Sequence, residues 1–255
     1  MKNQNIGIAL SGGAVRGIAH IGVLQALEEE NIFPTHISGS SIGSIVGVLY
    51  AAGNSPQQLL EIAKETSLFN LFRPQLSLGL MELSKVTKIL KEYIKTDNFD
   101  VLKKKFYVCV TNIEVGEWEI REEGELFQTV IASCSIPFVF KPIELDGQMY
   151  VDGGVLNNLP IEPLKAVCDK VIGVNVIPMG RSKKLDGIVD IAKRSAELIL
   201  NNNSIRNLEQ CDVALSIDGI NEFDFFDFNK TEELYELGYQ ITKSKMKMIK
   251  EALNI

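Results

Sequence analysis

Apolar residues recur along this chain in short runs that alternate with helically spaced stripes. Residues 6–10 form a brief apolar run closed by Ser11-Gly12-Gly13, and behind it Ile18, Ile21, Leu24, Ala26 and Leu27 repeat at helical spacing. That order predicts strand, tight loop, helix. It returns at once: segment 36–39 passes through a glycine-flanked turn into Ile42, Ile45, Val46, Leu49 and Tyr50. Two such units in succession predict parallel strands joined by crossover helices.

The pattern continues to the end of the chain. Ser55-Pro56 predicts the start of a helix over 57–65, with proline at the first helical position, where its missing N–H costs nothing. Further helices are predicted over 84–95, 188–200 and 231–253, the last carrying Lys243, Lys245, Lys247 and Lys250 toward its end, where cations suit the helix dipole. Strands are predicted over 106–113, 118–121, 171–176 and 213–217. This is an alternating α/β arrangement without repeats or a linker, and it predicts one domain over 1–255. Two stretches interrupt it, 66–81 (with Pro74 and Gly79) and 221–229, where four Phe interleave with acids. Either suits a lid or a lipid-contacting surface; satellite core under a long loop is the favoured reading.

Composition changes this picture little. With 255 residues, 45% apolar and 23% charged, the chain is ordinary globular material. A net charge of -7 argues against nucleic acid, whose phosphates need clustered Lys and Arg, and against tight electrostatic docking on an anionic membrane. Cys109, Cys134, Cys168 and Cys211 show no C-x-x-C spacing and read as reduced core residues. The sequence shows neither the pattern of a signal peptide nor a membrane-spanning run. The expectation is a cytoplasmic protein, with peripheral membrane contact left open.

Candidate chemistry lies in the two turns. Gly39-Ser40-Ser41-Ile42-Gly43 matches G-x-S-x-G, in which a serine at the apex of a strand-to-helix turn needs small neighbours on both sides so that strand and helix can approach. The strand before and the helix after lift this above a chance match, the competing reading being a purely structural turn. Ser41 is then a nucleophile in need of a base. Both histidines, His20 and His36, precede Ser41, and Asp97 is the first aspartate, so none of three known serine–histidine–acid orders is met. His36 is five residues away along a strand rising about 3.3 Å per residue, beyond hydrogen-bond reach. His20 reads as a polar helix residue with a local partner. The base must be a carboxylate or a lysine.

Asp152 is the most suggestive carboxylate. It ends an apolar strand and is followed by Gly153 and Gly154, which allow close approach of another backbone. Partial desolvation there would push its pKa toward neutrality, as a general base requires. On Asp-Gly-Gly alone, a hairpin turn is the better reading; the motifs taken together favour the base. The loop Ser11-Gly12-Gly13-Ala14-Val15-Arg16-Gly17 offers backbone N–H groups to an anion. Dinucleotide spacing is not met, and no Gly-Lys-Ser/Thr makes it a P-loop. An oxyanion hole is the better use, with Arg16 as an extra cation or as an ion pair fixing the loop.

Residues 10–24 (LSGGAVRGIAHIGVL), 36–53 (HISGSSIGSIVGVLYAAG), 132–142 (ASCSIPFVFKP) and 150–160 (YVDGGVLNNLP) together resemble the patatin-like phospholipase family, and within it the small bacterial single-domain members. The resemblance implies a three-layer α/β/α sandwich around a mainly parallel sheet. It implies a Ser-Asp dyad of Ser41 and Asp152, and an oxyanion hole in the loop of Gly12, Gly13 and Ala14. It implies hydrolysis of lipid acyl esters through an acyl-enzyme, with no metal or other cofactor. One departure is Ala14, where the family usually has a third glycine; a Cβ there is tolerable at negative φ and awkward at positive φ. An acyltransferase or transacylase on a related core is a second reading; such enzymes normally use a histidine after the serine, which is absent. A non-catalytic regulatory module is a third reading, and the sequence names no partner for it.

Overall fold

The computed structural model describes residues 4–65, 84–180, 186–225 and 229–255. Its strands are β1 (Ile6–Leu10), β2 (His36–Gly39), β3 (Lys105–Asn112), β4 (Glu117–Arg121), β5 (Ile143–Leu145), β6 (Gln148–Asp152), β7 (Lys170–Asn175) and β8 (Val213–Ser216). Its α-helices are α1 (Ile18–Glu28), α2 (Ile42–Ala51), α3 (Pro56–Glu65), α4 (Ser84–Tyr93), α5 (Leu126–Ser133), α6 (Glu162–Val167), α7 (Ile188–Leu208), α8 (Thr231–Ser244) and α9 (Met246–Leu253).

The strands form one sheet in the order β5-β6-β3-β2-β1-β7-β8, with β4 paired to β3 off that path. The strands β3, β2, β1, β7 and β8 are mutually parallel, while β4, β5 and β6 add antiparallel pairs at one side. Alternation along the strands builds two cores, one on each face. Ile8, Leu10, Phe106, Val108, Val110, Ile172 and Val174 join the large cluster shared with α1, α2, α5, α8 and α9. Ala9, Tyr107 and Val171 point the other way, into a smaller cluster with Leu164 of α6 and Leu208 of α7. The result is the expected three-layer α/β/α sandwich.

Helix α1 is buried from Ile18 through Leu27, as expected of a helix apolar on nearly all sides. It crosses α8 backbone to backbone: a Cβ on Gly22 would lie 2.0 Å from the Tyr235 carbonyl oxygen, and one on Gly238 would lie 2.1 Å from that of Ala19. Lys243 and Lys250 reach back to Glu30 just beyond α1, at 2.8 and 2.6 Å, so two of the lysines noted in the sequence tie the C-terminal helices to α1.

Several elements differ from the sequence expectation. The helix predicted over 231–253 is broken at Lys245, where Thr242 and Ser244 turn their hydroxyls back onto the carbonyls of Gly238 and Ile241 and compete with the helical ladder. Helix α7 runs on to Leu208, past the predicted end at 200, because polar residues that resemble a stop signal find partners there: Ser204 and Asn207 bond to Asn158, Asn157 and Leu159. The sequence pattern does not predict α5, whose Phe127 amide is capped by Asp97 from far back in the chain. Nor does it predict α6, a six-residue helix. Stretch 66–81 lies outside the described residues. Of the four Phe in 221–229, Phe223 and Phe225 pack against the main core, in keeping with satellite core, and Phe226 and Phe228 lie outside the described residues.

Candidate active site

Register brings two distant motifs to the same end of the sheet. Gly39 at the end of β2 stands across from Val108 of β3, and Asp152 at the end of antiparallel β6 stands across from Val110. Ligands of such open sheets bind beyond the carboxyl ends of the parallel strands, where both motifs lie.

Ser41 forms the turn between β2 and α2 with φ 52° and ψ -128°. A side chain in this region costs about 1–3 kcal/mol, so the surroundings must hold it there. Its N–H donates to the Ser133 hydroxyl at 2.9 Å. Its carbonyl accepts from the Ser44 amide at 2.8 Å and the Ser44 hydroxyl at 2.6 Å. Both flanking glycines are enforced by backbone: a Cβ on Gly39 would sit 2.5 Å from the Gly43 carbonyl, and one on Gly43 would sit 2.2 Å from that of Leu10.

Asp152 enters a 3-10 turn, Gly153–Val155, rather than a hairpin. The Asp-Gly hairpin of this region is Asp146-Gly147 between β5 and β6, with φ of 52° and 77° as such turns require. The Asp152 carboxylate is 5% exposed and lies against the Ser41 hydroxyl, and its Oδ1 accepts from the Gly154 amide at 2.8 Å. Burial pushes its pKa up to about 7, against the opposing pull of the hydrogen bonds from Ser41 and Gly154. A Cβ on Gly153 would meet the Cys109 carbonyl at 2.2 Å, so this glycine lets the motif lie directly on β3.

Other groups near the turn are poor competitors for its chemistry. His20 is wholly buried, its Nε2 donating to the Ser11 carbonyl at 2.8 Å, and desolvation lowers its pKa to about 4. His36 bonds through Nδ1 to the hydroxyl of neighbouring Thr35. Burial drives the Cys109 and Cys134 thiols up and keeps them protonated. Cys168 and Cys211 are only half-buried, so the core placement expected of all four cysteines holds for two.

The first turn, after β1, is less uniform than the sequence suggests. Gly12 lies against Ser41, where a Cβ on the glycine would stand 3.0 Å from that of the serine, yet its amide already donates to Asn158, at 3.2 Å to the carbonyl and 3.1 Å to Oδ1. Ala14 has φ 47°, the awkward case for a residue with a Cβ. Arg16 is 3% exposed; it donates to the Phe223 carbonyl at 2.8 and 3.1 Å and to Asn221 at 3.3 Å, stacks on Phe225 and stands 3.8 Å from Glu197. Of the two uses expected for Arg16, the one observed is the anchor that fixes the loop. Among the described residues, the amides of Gly13, Ala14 and Ile42 find no acceptor.

Sequence reasoning does not single out Ser133, Ser44 or Asn158. Ser133 and Asn158 sit inside the quoted segments 132–142 and 150–160, so their motifs are visible in the chain and their contacts are not. Among the described residues, no group of three or more His, Cys, Asp or Glu is placed to hold a metal ion.

A family model for patatin-like phospholipase matches residues 8–165. The chain belongs to the patatin-like phospholipase family. Both glycine turns, Ser133 and the segment from Asp152 to Asn158 fall within that match. Among its relatives, lysophospholipase NTE1 of Coccidioides immitis is 28% identical over 97% of this chain and 18% of its own length. An uncharacterised NTE family protein of Mycobacterium bovis is 31% identical over 69% of this chain and 50% of its own. The chain thus spans half or less of the length of these curated relatives. Two solved structures share the fold: VipD from Legionella pneumophila, with TM-score 0.56 and 16% identity over 94% of this chain and 66% of that one, and ExoU from the type III secretion system of Pseudomonas aeruginosa, in complex with SpcU, with TM-score 0.51 and 13% identity over 99% and 53%.

Proposed function

We propose that this protein is a serine lipid acyl hydrolase working through a Ser41–Asp152 dyad. The observation that carries the reading is Ser41 held at positive φ at the end of β2 with Asp152 buried at the same end of the sheet, both histidines being engaged elsewhere, and burial raises the pKa of that carboxylate toward neutrality. Asp152 takes the Ser41 proton as Oγ bonds to the ester carbonyl carbon. The carbonyl oxygen becomes an oxyanion, received by the open amides of Gly13, Ala14 and Ile42, of which Ile42 adds the dipole of the α2 N-terminus. The C–O bond to the alcohol then breaks and the alcohol leaves with the proton from Asp152; water, deprotonated in turn by Asp152, bonds to the acyl carbon, and the Ser41–acyl bond breaks as Asp152 returns the proton to Oγ, freeing the fatty acid. Gly12 and Arg16 shape the loop and donate nothing to the oxyanion in this scheme.

Family membership and the lysophospholipase relatives support a lipid ester as substrate. Wholly exposed Phe138 and, at the start of α7, Ile188 and Ile191 offer apolar contact points for peripheral binding to lipid, which suits a chain of net charge -7 better than electrostatic docking. Among the described residues, no helix is long and apolar enough to cross a membrane. The test is fatty acid release from phospholipid and lysophospholipid vesicles. Ser41→Ala and Asp152→Asn should each lose about 10³-fold or more in kcat while remaining folded. Retention of activity in folded Ser41→Ala refutes the reading. Adding an alcohol acceptor should leave fatty acid the main product; a dominant new ester would make the protein a transacylase.

A further inference from the structure

Both members of the dyad are braced by the end of α5. The Ser133 hydroxyl accepts the Ser41 amide at 2.9 Å and donates its own proton to the Cys109 carbonyl at 2.7 Å. Its polarity is therefore fixed: with its one proton directed to β3, a lone pair faces the nucleophile's backbone. The same Cys109 carbonyl is the surface on which Gly153 rests, and two residues past Ser133 the Ser135 carbonyl accepts the Asp152 amide at 3.0 Å. Ser133 is wholly buried, so neither partner has water to fall back on.

We propose that Ser133 is a positioning residue that holds Ser41 in its positive-φ conformation and so sets the hydroxyl against the Asp152 carboxylate. The inference rests on the dyad reading. Without the Ser133 hydroxyl, the Ser41 amide loses its acceptor and the Cys109 carbonyl loses a donor, and the turn relaxes toward ordinary φ. The Ser41 hydroxyl then leaves the carboxylate, and the hydrogen bond that pulls the Asp152 pKa down goes with it. The Cys109 and Cys134 thiols, which also face Asp152, stay protonated and add no charge over the working pH range.

Three variants, Ser133→Ala, Ser133→Cys and Ser41→Ala, test this beside the parent protein, with kcat and KM for a soluble ester measured across pH and folding followed by thermal melts. Ser133→Ala should lower kcat about 10- to 100-fold, as expected for a reacting group displaced by an ångström or less, with KM within about three-fold. The acid limb of kcat/KM should move to higher pH, which a merely structural loss of stability does not do. Ser133→Cys keeps the shape and weakens both hydrogen bonds, so it should shift the limb the same way by less; it decides the matter if Ser133→Ala does not fold. An unshifted limb with parental kcat in the folded variant overturns the proposal while leaving the dyad intact, provided Ser41→Ala is inactive. An active Ser41→Ala instead brings down the dyad reading and this inference with it.

Discussion

The two turns at the carboxyl ends of β1 and β2 look alike in sequence and are opposites in structure. Each links a parallel strand to a buried helix, and each places a residue with a Cβ at positive φ, Ala14 at 47° and Ser41 at 52°. Around Ser41 the backbone is tied down: its N–H goes to Ser133, its carbonyl to Ser44, and both flanking glycines are pressed against main chain. Around Ala14 the amides of Gly13 and Ala14 stand open, and a Cβ on Gly13 would come nearest the Val176 side chain, at 2.6 Å, with no backbone in the way. One turn uses the N–H and carbonyl of Ser41 to fix a side chain and leaves the Ile42 amide open; the other has its Gly12 amide taken by Asn158 and leaves those of Gly13 and Ala14 open. The same local device thus chiefly positions a side chain in one place, with the Ile42 amide left over as a donor, and in the proposed mechanism serves anion binding alone in the other.

Substitutions can sharpen or break that contrast. The largest effect is expected from Gly43→Ala, whose Cβ collides with the Leu10 backbone; it should cost at least about 3 kcal/mol or prevent folding, read from chemical denaturation. A well-folded, stable Gly43→Ala would show that the Ser41 turn is not braced as described.

Next is Asp152, the charge beside the braced turn. Its folded pKa of about 7 lies above the 3.8 of a free carboxyl, so between these values the folded chain holds a proton that the unfolded chain has lost. The group's contribution to stability is therefore fully present below about pH 4, declines as pH rises to about 7, and is level above that. Asp152→Asn removes this decline and should be the more stable protein above pH 7 by of order 4 kcal/mol, the gain growing across that window in melts at a series of pH values.

Smaller effects belong to the open turn. Gly13→Ala should fold with a smaller loss of stability than Gly43→Ala, since its Cβ meets the stiff, buried Val176 side chain and not backbone, and should lower kcat about 10-fold by shifting a donor. Ala14→Gly should relieve the positive φ and raise stability by about 0.5–1 kcal/mol, visible as a higher Tm, with the amide retained. If Gly13→Ala and Gly43→Ala behave alike, the difference drawn between the two turns is wrong.

Much of this was legible in the chain, and the part that was not has a common cause. Strand and helix periods near 6–28 and 36–51 reveal both turns because each is written in consecutive residues. Ser41 could be separated from every histidine triad by order alone, and Asp152 is buried at the same end of the sheet. What local sequence does not carry is who satisfies whom at a distance. The start of α5 depends on Asp97, the Gly12 amide is occupied by Asn158, and Arg16 is drawn to the 221–225 segment. The sign of φ at Ala14 decides whether its Cβ is tolerated, and that sign is set by tertiary contacts. The long run of α7 through Ser204 and Asn207 follows the same rule, since the effect of a polar residue on a helix depends on the partner that the fold brings to it; the break at Lys245 is local, made by the Thr242 and Ser244 hydroxyls.

The central claim is that Ser41, activated by Asp152, is the nucleophile. Treating the folded protein with a fluorophosphonate and locating the adduct by mass spectrometry tests it most directly. A single adduct on Ser41 is predicted, forming faster as pH rises through about 7, where Asp152 loses its proton, and forming slowly at every pH in Asp152→Asn. An adduct on another residue, or labelling of Ser41 that is indifferent to both pH and Asp152, would contradict it.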